Sequence, residues 1–212
     1  MAEGRPPQLS AHEPASLTEA ILAMQAGGIV GIPTETVYGI GVVPRPEALA
    51  AVIAAKQRPD DKGIALLIDG LDQVEGLVEV SPPAQRLAAR FWPGALTLVL
   101  PLRRPERVPE AVSGGRVTLG LRSPDHPVPR ALARELGPIA VTSANRSGEA
   151  AALIPEELIA SVGAALALVL DDGPVRGGVA STVVAVTAEG DWRVLREGAL
   201  LSADIDPVAA GG

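Results

Sequence analysis

The stretch from Gly28 to Ile68, GIVGIPTETVYGIGVVPRPEALAAVIAAKQRPDDKGIALLI, is the most informative part of the chain. It opens with a short apolar run, Ile29-Val30-Gly31-Ile32. Pro33 ends that run, since proline cannot donate to a sheet ladder. A polar turn follows, Thr34-Glu35-Thr36-Val37-Tyr38-Gly39, holding the single tyrosine of the sequence. Pro46 suits a first helical position, and Leu49, Val52 and Ile53 then recur at helical spacing. Lys56 continues that apolar face. Arg58, Pro59 and Lys62 come next, before a buried-looking run at 64–68. The 18 Lys plus Arg residues include only two lysines, Lys56 and Lys62. A cation on the apolar side of a helix, beside a polar turn that follows a strand, points to a charged pocket. On spacing alone, a solvated helix with last-turn cations complementing its dipole is equally open.

Working outward, 212 residues with 47% hydrophobic content suit one domain with a substantial core. Aromatics make up 2%, so that core must be aliphatic. No apolar run is long enough to span a bilayer, and the polar, proline-rich start lacks a signal-peptide core. The expected location is cytoplasmic, with no membrane partner. No cysteine is present, which removes disulfides and thiolate metal sites. His12 and His126 are far apart in sequence, so no metal-binding residue is expected. A net charge of −7 disfavours a stable nucleic-acid-binding module, which needs arrays of cations and stacking aromatics. A local basic cavity for one nucleotide stays open.

Along the chain, 1–14 reads as a mobile arm, 15–201 as the folded domain and 202–212 as a fraying tail. Ser16 and Glu19 suggest a capping box for a first helix stopped by Gly27-Gly28. Helices are expected after Pro82, over 128–136 and from Pro155. Strands are expected over 95–100, 117–122, 138–141 and 166–170. A hairpin over 181–186 and 192–195 turns at Glu189-Gly190, and 103–115 reads as a long irregular connection. Helices and strands alternate with hairpin-like pairs intervening, so the fold class is α/β with a mixed sheet in a single domain. P-loop, dinucleotide-fingerprint and nucleophile-elbow motifs are absent. What remains are polar residues at strand ends: Thr34, Thr118, Ser143, Asn145, Ser181 and Thr182, with Arg58, Arg122 and Arg196. Ligands of open α/β sheets sit at the carboxyl ends of strands. Hydroxyls and amides there hydrogen-bond a ligand, while Lys and Arg neutralise phosphate or carboxylate. Each such residue also has an ordinary reading as a turn-former or exposed edge.

Taken together, six blocks in order resemble the YrdC-like threonylcarbamoyl-AMP synthase family in its short, single-domain form. They are GGIVGIPTETVYGIG at 27–41, KQRPDDKGIALLI at 56–68, FWPGALTLVLP at 91–101, VTLGLRSPDHPV at 117–128, VTSANRSG at 141–148, and GGVASTVVAV with VLREGAL near the end. The resemblance implies a twisted mixed sheet flanked by helices around a concave basic cavity. It implies an L-threonylcarbamoyladenylate synthase: L-threonine, bicarbonate (or carbon dioxide) and ATP give threonylcarbamoyl-AMP and pyrophosphate, for threonylcarbamoyladenosine modification of tRNA. By the same resemblance Lys56, Arg58, Ser143 and Asn145 form the catalytic set. Lys56, Arg58, Lys62, Thr118, Arg122, Asn145 and Arg196 would hold ATP, with magnesium. Thr34, Ser143 and Ser181 or Thr182 would face threonine. The implied partners are a downstream threonylcarbamoyl transferase complex and transient tRNA. Two departures stand out: Leu67 lies near a family histidine that contacts the amino acid, and Leu153 near a family threonine. Alternatives are a non-catalytic tRNA or double-stranded RNA-binding module of the same fold, and a paralogue for another amino acid.

Overall fold

The structure is a computed structural model that describes residues 5–57, 63–145 and 149–211. Among these, ten strands form one sheet: β1 (Gln8–Ser10), β2 (Ile29–Ile32), β3 (Gly39–Val42), β4 (Leu66–Leu67), β5 (Leu96–Pro101), β6 (Thr118–Arg122), β7 (Ile139–Ser143), β8 (Leu166–Asp171), β9 (Thr182–Val186) and β10 (Trp192–Arg196). Their order across the sheet is β1-β8-β2-β3-β7-β4-β6-β5-β9-β10. The pairs β1–β8, β2–β8, β4–β6 and β5–β9 are parallel, and the rest antiparallel. Seven α-helices accompany them: α1 (Pro14–Gln25), α2 (Pro46–Lys56), α3 (Pro82–Phe91), α4 (Glu110–Ser113), α5 (Pro127–Leu136), α6 (Pro155–Val162) and α7 (Ser202–Ala210).

Side chains alternate across a strand, and here that alternation divides the core in two. Leu66, Ala140 and Val169 face one cluster with α2, α3, α6 and α7. Their neighbours Leu67, Ile139, Val141, Leu168 and Leu170 face the other, beneath α1 and α5. The first cluster continues under the far half of the sheet through Leu96, Leu98 and Leu100 of β5, Leu119 and Leu121 of β6, and Val184 and Val186 of β9. On the opposite face of that half the intervening residues are small or polar: Thr97, Thr118, Gly120, Arg122, Val183 and Ala185. Instead of meeting α1 or α5, they line a hollow.

Several sequence expectations need correcting. Residues 8–10, expected in a mobile arm, pair as β1 with β8, and Leu9 packs on the second cluster. Backbone pairing decides this edge strand, and three residues are too few to show a period. The expected tail forms α7 instead, burying Ile205 and Ala209. Arg86 of α3 donates from Nε to Val208 O at 3.1 Å and from Nη2 to Ala209 O, capping that helix. The first helix starts earlier than its expected capping box, with Glu13 at the N-cap and Ser16 buried inside. β3 reads as a glycine turn because its glycines answer to packing. A Cβ at Gly41 would lie 2.6 Å from Ile32 Cδ1, and one at Gly39 2.7 Å from Val141 Cγ1. Finally, 103–115 is organised: it holds a 3-10 turn at Pro105–Arg107 and then α4, whose Val112 O accepts from Ile64 N at 3.0 Å.

Candidate active site

The hollow has a volume of about 740 Å³, within the usual range for small-ligand sites. Of the expected site residues, Thr34, Thr118, Arg122, Ser143, Asn145, Ser181 and Arg196 line it together. They come from five separate segments of the sequence, and the alternation of β5, β6 and β9 aims their neighbours at the core. Arg58 and Lys62 lie outside the described residues. Leu67, near the position of the family histidine, is also on the wall.

Lys56 ends α2 and is 4% exposed. Its Nζ donates to Ser143 O, to Asn145 O at 2.6 Å and to Asn145 Oδ1 at 3.4 Å. The ammonium thus fastens the loop after β7 and is not on the cavity wall. Asn145 is held from the other side as well, its Nδ2 donating to Glu149 O at 2.8 Å. Ser143 Oγ has no hydrogen-bond partner among the described residues and lies on the wall. Lys56 brings chain-distant segments together, but by ordering the serine–asparagine loop from behind.

Thr34 organises the turn after β2. Its hydroxyl donates to Val37 O at 2.6 Å and accepts from the amides of Thr36 and Val37, each at 3.2 Å. With that one hydrogen committed, the 3.0 Å contact between Thr34 and Thr36 hydroxyls must be donated by Thr36. Thr36 Oγ1 then accepts from Arg122 Nη2 at 3.0 Å. Arg122, 7% exposed, also donates from Nε to Gly94 O at 3.1 Å. Its Nη2 lies 2.7 Å from Glu35 Oε1.

Ser181 Oγ and Thr97 Oγ1 share a hydrogen bond of 2.8 Å on the wall. Thr182, expected as an alternative threonine contact, is turned away and fully buried. Its hydroxyl donates to Leu200 O at 2.6 Å and accepts from Gly198 N and Leu200 N at 2.9 and 3.0 Å. Strand alternation requires this, because successive residues at the start of β9 face opposite sides. Arg196 donates to Ser181 O at 2.8 Å. Partial burial, and then the charge of Arg122, pull its guanidinium below the ordinary value.

Four further features escaped the sequence reading. Arg116 and Arg193 add cations to the wall, Glu149 adds a carboxylate, and Thr97 completes the hydroxyl pair. Arg193 was legible from the alternation of Trp192, Arg193 and Val194. A bulge then lets Arg196 pair with Val183 rather than continue that alternation, so Arg193 and Arg196 share the cavity face with Ala185 and Val183. Cations therefore line a hollow that also offers hydroxyl and amide donors. Such a site can hold a polyanion and orient a small polar molecule against it.

The chain is similar to several known proteins. Residues 22–198 match the family model Sua5_yciO_yrdC, described as telomere recombination. A Bacillus subtilis protein named threonylcarbamoyl-AMP synthase is 37% identical over 204 residues, covering 95% of this chain and 58% of the relative. A Mycobacterium tuberculosis putative threonylcarbamoyl-AMP synthase is 39% identical over 184 residues, covering 86% and 83%. Among solved structures, Pyrococcus abyssi Sua5 in complex with L-threonine superposes with a TM-score of 0.88 at 34% identity, covering 95% of this chain and 60% of that one. This chain thus spans about three fifths of the Bacillus and Pyrococcus proteins.

Proposed function

The chain belongs to the Sua5/YciO/YrdC family, and from that premise we propose that it is an L-threonylcarbamoyladenylate synthase. Threonine's amine combines with bicarbonate, losing water, to give an N-carboxylate. That carboxylate attacks the α-phosphate of ATP, and pyrophosphate leaves. The observation that carries this reading is the convergence of Arg122, Arg196, Thr118, Ser143, Asn145 and Ser181 on one hollow. Three anionic groups must share the site, and catalysis by charge neutralisation and in-line positioning needs that kind of wall. No covalent enzyme intermediate is required.

In this scheme Arg196, Arg122 and Thr118 take the nucleotide, together with Arg58 and Lys62. Ser143 and Asn145 orient the carbamate at the α-phosphate, on a loop that Lys56 holds in place. The Ser181–Thr97 pair and the turn at Thr34 border the threonine. Magnesium, when bound with the nucleotide, would supply counter-charge to the triphosphate. Glu149 is the acidic side chain on the wall among the described residues. The unstable product would pass to a threonylcarbamoyl transferase complex, with tRNA in transient contact. No described helix is long and apolar enough to cross a membrane, which suits work in the cytoplasm. The test is pyrophosphate release from ATP. It should require both L-threonine and bicarbonate, and release that persists without either sinks the assignment. Tight tRNA binding with a steep salt dependence and no adenylate formed would instead favour an RNA-binding module.

A further inference from the structure

Glu35 sits behind the wall, and its environment is unusual. Both carboxylate oxygens are buried, yet among the described residues neither accepts an aligned hydrogen bond. The carboxylate is nevertheless 2.7 Å from Arg122 Nη2, so the contact is an ion pair approached off the N–H axis. A buried carboxylate of this kind is a poor stabilising device, because desolvation offsets the Coulombic gain unless its lone pairs are filled. Its position is nonetheless fixed by its own backbone. Gly177 N donates to Glu35 O at 3.1 Å and Gly178 N to Thr36 O at 2.9 Å. The approach at Gly177 is so close that a Cβ there would lie 2.5 Å from Glu35 O.

What Glu35 does hold is the guanidinium. Arg122 Nε is engaged by Gly94 O, and Nη2 by Thr36 Oγ1 and Glu35, which leaves Nη1 without a protein partner among the described residues. Arg122 also faces the positive charge of Arg196, which would push an untethered guanidinium away. We propose that Glu35 is a positioning residue: with Thr36 and Gly94 it locks Arg122 against this repulsion, so that Nη1 is presented to the ligand's anionic group. That group is a carboxylate or a phosphate, and the inference rests on the synthase reading for which of these the cavity takes.

The test is a double-mutant cycle on the full-length protein. Calorimetric dissociation constants for ATP and for L-threonine are measured on wild type, Glu35→Ala, Arg122→Ala and the double variant. Losing the lock should weaken the ligand that Arg122 holds by about tenfold or more, the scale of one charge-assisted hydrogen bond. The other ligand should move much less, which identifies the anion. In the Arg122→Ala background, removing Glu35 should change nothing further, since its effect passes through that guanidinium. Glu35→Gln keeps the volume but removes the charge that pairs with Arg122, so it should weaken the same ligand in the same direction. It also carries the cycle if Glu35→Ala does not fold. Independent, multiplicative effects of the two substitutions would overturn the proposal, as would wild-type affinity in Glu35→Ala. Because the readout is binding, a protein that binds both ligands but forms no adenylate refutes the synthase reading alone. A wild type that binds neither refutes both.

Discussion

Replacing Lys56 with Met separates two roles for this lysine. Methionine keeps an unbranched stem in a helix where Lys56 is 4% exposed, and removes only the ammonium. The change deletes the bonds to Ser143 O and to Asn145 O at 2.6 Å, plus a long contact to Asn145 Oδ1. Hydrogen bonds to a charged group contribute roughly 1.5–3 kcal/mol each, so the two short ones amount to about 3–6 kcal/mol. Relief of the buried cation's desolvation offsets part of that loss, leaving a net destabilisation of about 2–4 kcal/mol. For a protein of this size that lowers the melting temperature by roughly 5–15 °C. Thermal melting of the apo protein measures it, since the interaction requires no ligand. Activity should fall as well, because the Ser143–Asn145 loop loses its tether. Had Lys56 instead been a phosphate contact pointing into the cavity, the variant would lose ATP affinity at unchanged stability. A melting temperature within about 1 °C of wild type would refute the tether.

Other outcomes follow from the same geometry. Tyr38 donates to Gly173 O at 2.8 Å and accepts from Asp172 N at 3.1 Å, and burial pushes its phenol up to about 12. It is the only tyrosine, so absorbance titration should show a single midpoint well above that of the unfolded chain. The raised value makes its contribution, roughly 2–3 kcal/mol, complete below pH 10 and lost as pH rises toward 12; a midpoint near 10 in the folded state would contradict this. Asp69 is paired with Arg134 at 3.0 Å and Arg130 at 2.7 Å, and those bonds lower its carboxyl. Stability from this cluster should be present above the ordinary aspartate value and lost as pH falls through the lowered one. Asp69→Asn should flatten that part of the acid-melting curve, and an unchanged curve would count against the pairing. Thr182→Val should cost about 1–3 kcal/mol by stranding Gly198 N and Leu200 N, measured by denaturant titration. Arg196→Ala should raise the ATP requirement about tenfold. Its fall in melting temperature should be smaller than that of Lys56→Met, because relief of burial and of the repulsion from Arg122 offsets part of the lost bond to Ser181 O.

Much of this arrangement could be read in advance where one rule governed the outcome. LTLVLP and TLGLR carry their leucines on one face and mostly smaller or polar residues on the other, so there both core and cavity wall follow from a period of two. Pro46 with Leu49 and Val52 likewise fixed α2, and with it the site of Lys56. Illegible parts depended on contacts between segments. β3 looks like a turn until Val141 and Ile32 are seen filling the space a side chain would need. Arg196 shares parity with Trp192 and Val194, which pack on the core, and only the bulge explains its presence on the cavity face. Thr182 resembles Ser181 in chemistry, but the strand turns it to the opposite side. Glu35 reads as one polar residue of a turn, and its significance depends on Arg122, which is distant in sequence.

The most direct test of the whole account is product analysis after incubation with ATP, L-threonine and carbon-labelled bicarbonate. A species with the mass of threonine, carbonyl and AMP, carrying the label and formed in step with pyrophosphate, is the expected result. Labelled carbon absent from any adenylate, with AMP attached to threonine directly or not formed at all, would contradict it.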